Sequence, residues 1–161
     1  MQPFDYYRPK TFEEAFELLS QPDKTAVAIA GGTDVIPQIR DRDRVGGRDS
    51  RPALVVDIKG LPGMRDLVLR SMAPCCGTGP DECLYVGAAV RIIEIARSSI
   101  VQDHWPILAD AAASIGNEQI RNRATIGGNI CTASPAADSA PALYVLDASV
   151  LIKGPRGEDR C

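Results

Sequence analysis

The run Ala124-Thr125-Ile126-Gly127-Gly128-Asn129-Ile130-Cys131-Thr132-Ala133-Ser134-Pro135-Ala136-Ala137-Asp138 concentrates polar groups in a segment of very little bulk. Two adjacent glycines, three hydroxyl side chains, an amide and a carboxylate fall within it. Such a run offers backbone N–H groups and short polar side chains to a ligand, with almost nothing in the way. It holds no His, Lys or Arg that could move a proton or clamp an anion by charge. The chemistry it suits is recognition by a binding loop, with any redox step left to the ligand.

A second glycine pair lies far upstream. Ala26-Val27-Ala28-Ile29-Ala30 is a short apolar run that stops at Gly31-Gly32, followed by Thr33-Asp34 and then Val35, Ile36 and Ile39 at helical spacing. Strand, permissive turn and helix start, in that order, leave unpaired amides of partial positive charge where a diphosphate can sit. The alternative is that the glycines only turn the chain and that Thr33 or Asp34 caps the helix. Neither G-x-G-x-x-G nor G-x-x-x-x-G-K-[ST] occurs, so this loop alone leaves both readings open.

The elements that must position the two loops follow from periodicity and punctuation. After an extended start with Pro3 and Pro9, Thr11-Phe12-Glu13-Glu14 has the form of a capping box. Phe12, Ala15, Phe16 and Leu19 recur at helical spacing, and Pro22 lies just past the expected end. With the strand before Gly31, the helix after it and a strand over 53–58, the opening unit reads as α/β with parallel strands. Beyond Gly60 the texture changes. Strands are expected over 66–70 and 84–88, joined by a Pro-, Gly- and Cys-rich loop over 73–83 that allows an antiparallel pair. Helices are expected around Ile92–Ala96 and Ile107–Ile115, with Trp105 and Pro106 at the start of the second. A short helix over 140–146 and a strand over 148–152 follow. A boundary near Gly60 therefore divides the chain into residues 1–59 and 60–161.

Composition narrows the function classes. A 161-residue chain that is 45% apolar can bury a real core, and a formal net charge of −3 offers no basic footprint for nucleic acid. The run Arg40-Asp41-Arg42-Asp43-Arg44 alternates in sign and reads as a solvated face or loop. There is no signal-peptide pattern and no apolar run near the ~20 residues that span a bilayer, so a cytoplasmic location is expected. Five cysteines, an odd number, argue against a disulfide framework in such a compartment. Cys75, Cys76 and Cys83 are spaced poorly for a metal or iron–sulfur site, and a loop that merely contains thiols is expected. His104, the single histidine, has nothing beside it to tune it and is read as a surface or capping residue.

Taken as a pair, Ala30-Gly31-Gly32-Thr33-Asp34 and Thr125-Ile126-Gly127-Gly128-Asn129 resemble the two FAD-binding motifs of the molybdenum hydroxylase flavoproteins. These are the medium subunits of the xanthine dehydrogenase and carbon monoxide dehydrogenase group. The resemblance runs on through Ile115-Gly116-Asn117, through Gln119-Ile120-Arg121-Asn122-Arg123 and through Ala133-Ser134-Pro135-Ala136-Ala137-Asp138. It covers nearly the whole chain.

The resemblance implies an α+β, two-subdomain FAD-binding fold of the vanillyl-alcohol oxidase and CO dehydrogenase flavoprotein type. A small parallel α/β subdomain and a larger, mainly antiparallel α+β subdomain would hold the flavin between them. The first loop, Ala28, Ile29, Ala30, Gly31, Gly32, Thr33, Asp34 and Val35, would wrap the pyrophosphate with backbone amides. Ala124, Thr125, Gly128 and Asn129 would contact the diphosphate and its surroundings, Ile115 would lie against the cofactor, and Asp138 would bind the ADP end. Without the resemblance, Asp138 reads as a helix cap. No residue is expected to be catalytic or to bind metal.

The implied role is an oxidoreductase component, active only in a complex. Molybdopterin would sit on a large partner subunit and [2Fe–2S] clusters on a small one, with electrons passing through the flavin to NAD or another acceptor. Members of the family run on into a further C-terminal domain, so a truncated subunit, or a second chain supplying that domain, is expected. Two alternatives stand beside this reading. One is a scaffold that only assembles with the molybdenum and iron–sulfur subunits. The other is an oxidase with covalently attached flavin, which would need a His or Cys placed for flavin attachment; His104 lies outside both loops.

Overall fold

The computed structural model describes residues 3–21, 25–45, 52–71, 82–134 and 137–160. Three parallel strands build the N-terminal sheet: β1 (Asp5–Tyr7), β2 (Ala26–Ile29) and β3 (Leu54–Asp57), in the order β1-β3-β2. Its central strand carries Leu54, Val55 and Val56, all essentially inaccessible to water, as a strand flanked on both sides requires. Helix α1 (Phe12–Leu19) starts on Thr11, whose hydroxyl accepts from the Glu14 amide at 3.2 Å. Glu14 reaches back to the Lys10 amide, one residue earlier than in a simple capping box. Helix α2 (Val35–Val45) packs Ile39 and Val35 on the cluster formed by Ile29 and Val55.

The chain leaves β3 through a 3-10 turn at Ile58–Gly60, and from there its strands pair antiparallel. Strands β4 (Leu67–Ser71) and β5 (Glu82–Val86) form one such pair. Five helices follow: α3 (Ile92–Arg97), α4 (Ser99–His104), α5 (Pro106–Ser114), α6 (Glu118–Arg121) and α7 (Ile126–Thr132). Helix α8 (Ser139–Val145) and a hairpin of β6 (Leu151–Gly154) and β7 (Gly157–Arg160) complete the order. The main core lies here, with Ile92, Ile95, Val101, Leu108, Ala112 and Ile126 packed together. The architecture is α+β, with one parallel and two antiparallel sheets among the described residues.

Several expectations change. The segment read as a loop from Ala124 onward contains helix α7, glycines included. Thr125 caps it through its side chain, and Ile126 and Ile130 pack one turn apart on the core, which offsets the ~1 kcal/mol that each glycine costs a helix. The helix expected around Ile92–Ala96 is α3, and an unexpected helix, α4, follows it before Trp105, because Ser98 ends α3 and its hydroxyl caps α4 at Val101 N. The last strand begins at Leu151 rather than 148, and turns at Pro155–Arg156 into a hairpin. Of the two readings of the charge run, a solvated face or a loop, the loop is excluded, since the run continues α2 to Val45. Pro22 and the thiols of Cys75 and Cys76 lie outside the described residues, whereas Cys83 sits on β5 as a free, half-buried thiol.

Candidate functional site

Both glycine pairs meet at one place. The first loop leaves the C-terminal end of β2, beside Asp57 at the end of β3, where ligands of open parallel sheets characteristically bind. A Cβ built on Gly31 would lie 2.2 Å from the Arg123 carbonyl oxygen and 3.0 Å from Ala124 Cα, so the two loop backbones touch and only glycine fits. Gly32 follows at φ +79°, in the left-handed region. The loops are also joined by side chains, since the Thr132 hydroxyl reaches Asp34 Oδ2 at 3.1 Å.

Beside this junction lies a cleft of about 190 Å³ lined by Thr33, Asp34, Ile115, Ile120, Ala124 and Asn129. That is below the ~300–1,000 Å³ of pockets that enclose drug-sized ligands, and matches part of a dinucleotide rather than all of it. Four of the lining residues come from the sequence expectations for Thr33, Asp34, Ile115 and Ala124, and Asn129 is a fifth. Ile120 was not anticipated, although its i,i+4 placement with Ala124 could have shown it.

The amides of the two loops are used very differently. Ile126 N–H donates to Val90 O at 3.0 Å, Gly127 N–H to Ala88 O at 3.0 Å and Asn129 N–H to Thr125 O at 2.9 Å. Gly128 N–H donates to the Thr125 hydroxyl at 3.3 Å. By contrast, among the described residues no amide from Ala30 to Val35 donates to a protein acceptor. Asp34, for which a helix cap was the alternative reading, accepts from Thr132 instead of from an α2 amide. A run of free N–H groups at a helix start is suited to an anion of several oxygens.

The remaining expected residues sort by burial. Ala28 is exposed on β2, whereas Ile29 is a core side chain and Val35 packs against it, so both offer backbone only. Thr125 is buried and spent on capping α7. Gly128 is open on its outer side: a Cβ there would meet only Thr125 Oγ1, at 3.0 Å, whereas one on Gly127 would strike Ala88 at 2.6 Å. Asp138 occupies the N-cap position of α8 but its side chain caps nothing, and it is exposed outside the cleft lining.

Three supporting residues escaped the sequence reading. Buried Ser139 donates its hydroxyl to Asn129 Oδ1, which leaves the Asn129 Nδ2 hydrogens for the cleft. Arg121 donates to the carbonyls of Ile115 and Gly116, both at 2.9 Å, and so holds the Ile115 wall. Lys59 donates to the Ala30 carbonyl at 2.9 Å. None carries a local sequence signal, because each acts across a fold-dependent gap or from outside a motif.

The donor set fits the diphosphate and ribose end of a dinucleotide. Free amides and the Asn129 side-chain amide suit phosphate oxygens, Asp34 accepts from hydroxyls, and Ile115 and Ile120 give an apolar wall. Among the described residues no group of three or more His, Cys, Asp or Glu is placed to hold a metal ion.

Residues 2–161 match the family model described as the FAD binding domain in molybdopterin dehydrogenase. The chain is 35% identical over 158 residues to the nicotinate dehydrogenase FAD-subunit of Eubacterium barkeri, covering 98% of this chain and 48% of that protein. It is 37% identical over 152 residues to the xanthine dehydrogenase FAD-binding subunit of Escherichia coli O157:H7, covering 94% and 47%. Among solved structures, carbon monoxide dehydrogenase from Hydrogenophaga pseudoflava superposes with a TM-score of 0.78 at 31% identity, over 99% of this chain and 50% of that one. The chain thus spans about half the length of the relatives it matches.

Proposed function

This chain belongs to the family of FAD-binding domains of molybdopterin dehydrogenases, and we propose that it holds FAD as the electron-transfer component of a molybdopterin-dependent dehydrogenase. The cofactor lies between the units 1–59 and 60–161, with its diphosphate on the free amides of Ala30–Val35. That run of unclaimed donors, of which Thr33 and Asp34 line the same cleft as Asn129, is the observation that carries the reading. When bound, FAD supplies the exchange of electrons between [2Fe–2S] clusters on a small partner subunit and NAD or another acceptor. The molybdopterin belongs to a large partner subunit, and the complex is cytoplasmic.

The chain's own residues bind and orient. Gly31 and Gly32 bring the first loop against Arg123 and Ala124, the Asn129 side-chain amide donates to phosphate, and Asp138, free of any capping bond, accepts from ribose hydroxyls. Gly128 keeps the approach clear. The test is spectroscopic: the purified protein, alone or with its partner subunits, takes up FAD, turns yellow and releases FAD on denaturation. Colourless protein that takes up no FAD even beside those subunits would leave only the scaffold role.

A further inference from the structure

Asp57, at the C-terminal end of β3, is a buried carboxylate with three donors around it. Tyr6 Oη lies 2.5 Å from Oδ2, while the Lys59 amide at 2.9 Å and the Lys59 ammonium at 2.8 Å both reach Oδ1. Burial alone would push the Asp57 carboxyl up, but the hydrogen bonds from Lys59 and Tyr6 and the Lys59 charge outweigh it and hold the group below the usual carboxylate range. The ammonium is thereby fixed in place, and its next contact is the Ala30 carbonyl at 2.9 Å.

That contact has a directional consequence. Among the described residues there are no cis peptide bonds, so the Ala30–Gly31 peptide is planar and trans, with its C=O and N–H pointing opposite ways. Fixing the Ala30 oxygen on Lys59 aims the Gly31 N–H away from Lys59, and that N–H has no acceptor among the described residues. Without the ammonium, the peptide could rotate and present a carbonyl oxygen, which repels phosphate.

We propose that Lys59 is a positioning residue for diphosphate binding: anchored on Asp57, its ammonium holds the Ala30 carbonyl and so aims the Gly31 N–H at the diphosphate. This rests on the reading that the first loop holds the diphosphate of FAD. Lys59 touches no cofactor; it acts through one peptide plane. The Asp57 anchor makes the arrangement stiff, since a lysine otherwise has four rotatable bonds to lose.

The experiment compares wild type, Lys59→Met and the double variant Lys59→Met/Asp57→Asn, measuring the FAD dissociation constant and the melting temperature of the FAD-free protein. Lys59→Met is expected to weaken FAD binding tenfold or more, and also to lower the melting temperature by leaving Asp57 without its ammonium. The double variant removes the stranded charge and is expected to recover most of the melting temperature while FAD binding stays weak. Recovery of FAD affinity together with the melting temperature would overturn the assignment, as would a Lys59→Met protein that binds FAD like wild type. A wild-type protein that binds no FAD would instead overturn the reading beneath it, and this assignment with it.

Discussion

The two glycine pairs are built from nearly the same letters and do opposite things with their backbones. Around Gly127-Gly128 every amide is spent inside the protein, on Val90, Ala88 and Thr125, and the segment is a capped helix packed on the core. Around Gly31-Gly32 none of the amides from Ala30 to Val35 has a protein acceptor among the described residues. The first pair leaves its donors open. The second is a spacer that brings a helix close to its neighbours and leaves one open face. Glycine marks close approach in both loops; the hydrogen-bond partners show what is approached.

The same substitution at the two adjacent glycines should separate packing from approach. Gly127→Val places atoms where Ala88 already sits, at 2.6 Å from its Cβ and 2.7 Å from its oxygen. Overpacking of this kind costs about 1–3 kcal/mol, and the FAD-free melting temperature should fall by roughly 5 °C. Gly128→Val meets only the Thr125 hydroxyl, so its melting temperature should stay near wild type while FAD binding weakens on the order of a hundredfold by steric block. Titration with FAD and thermal melts of both variants check this, and equal effects on stability would erase the contrast.

A smaller effect is expected at Ser139. Ser139→Ala removes the donor to Asn129 Oδ1 and frees the amide to rotate, which at about 1 kcal/mol corresponds to roughly a fivefold rise in the FAD dissociation constant. Ser139→Ala with unaltered FAD affinity would mean that Asn129 is oriented by other means.

Much of this site was readable from residues because its determinants are local. Strand–Gly–Gly–helix order places free amides whatever lies around it, and the text of both loops carried the family resemblance that the family match then established. The helical state of Ile126–Thr132 was not legible, since its glycines argue for a loop and only the burial of Ile126 and the packing of half-buried Ile130 on the same core decide otherwise. Nor was the role of Lys59 legible. It depends on β2 and β3 lying side by side in register, with Ile29 opposite Asp57, and no periodicity reports that pairing. The assignment of Asp138 to the ADP end rests on the resemblance alone; the alternative, a side-chain cap, is not what it does.

Amide hydrogen exchange, read residue by residue by NMR with and without FAD, addresses the contrast most directly. The amides of Ile126–Asn129, already bonded within the protein, should be protected without cofactor and change little when it binds. Those of Gly31–Val35 should exchange fast in the free protein and become protected on FAD addition. Protection that instead appears at Ile126–Asn129 while Gly31–Val35 stay fast would contradict the account, because the diphosphate would then rest on the wrong loop.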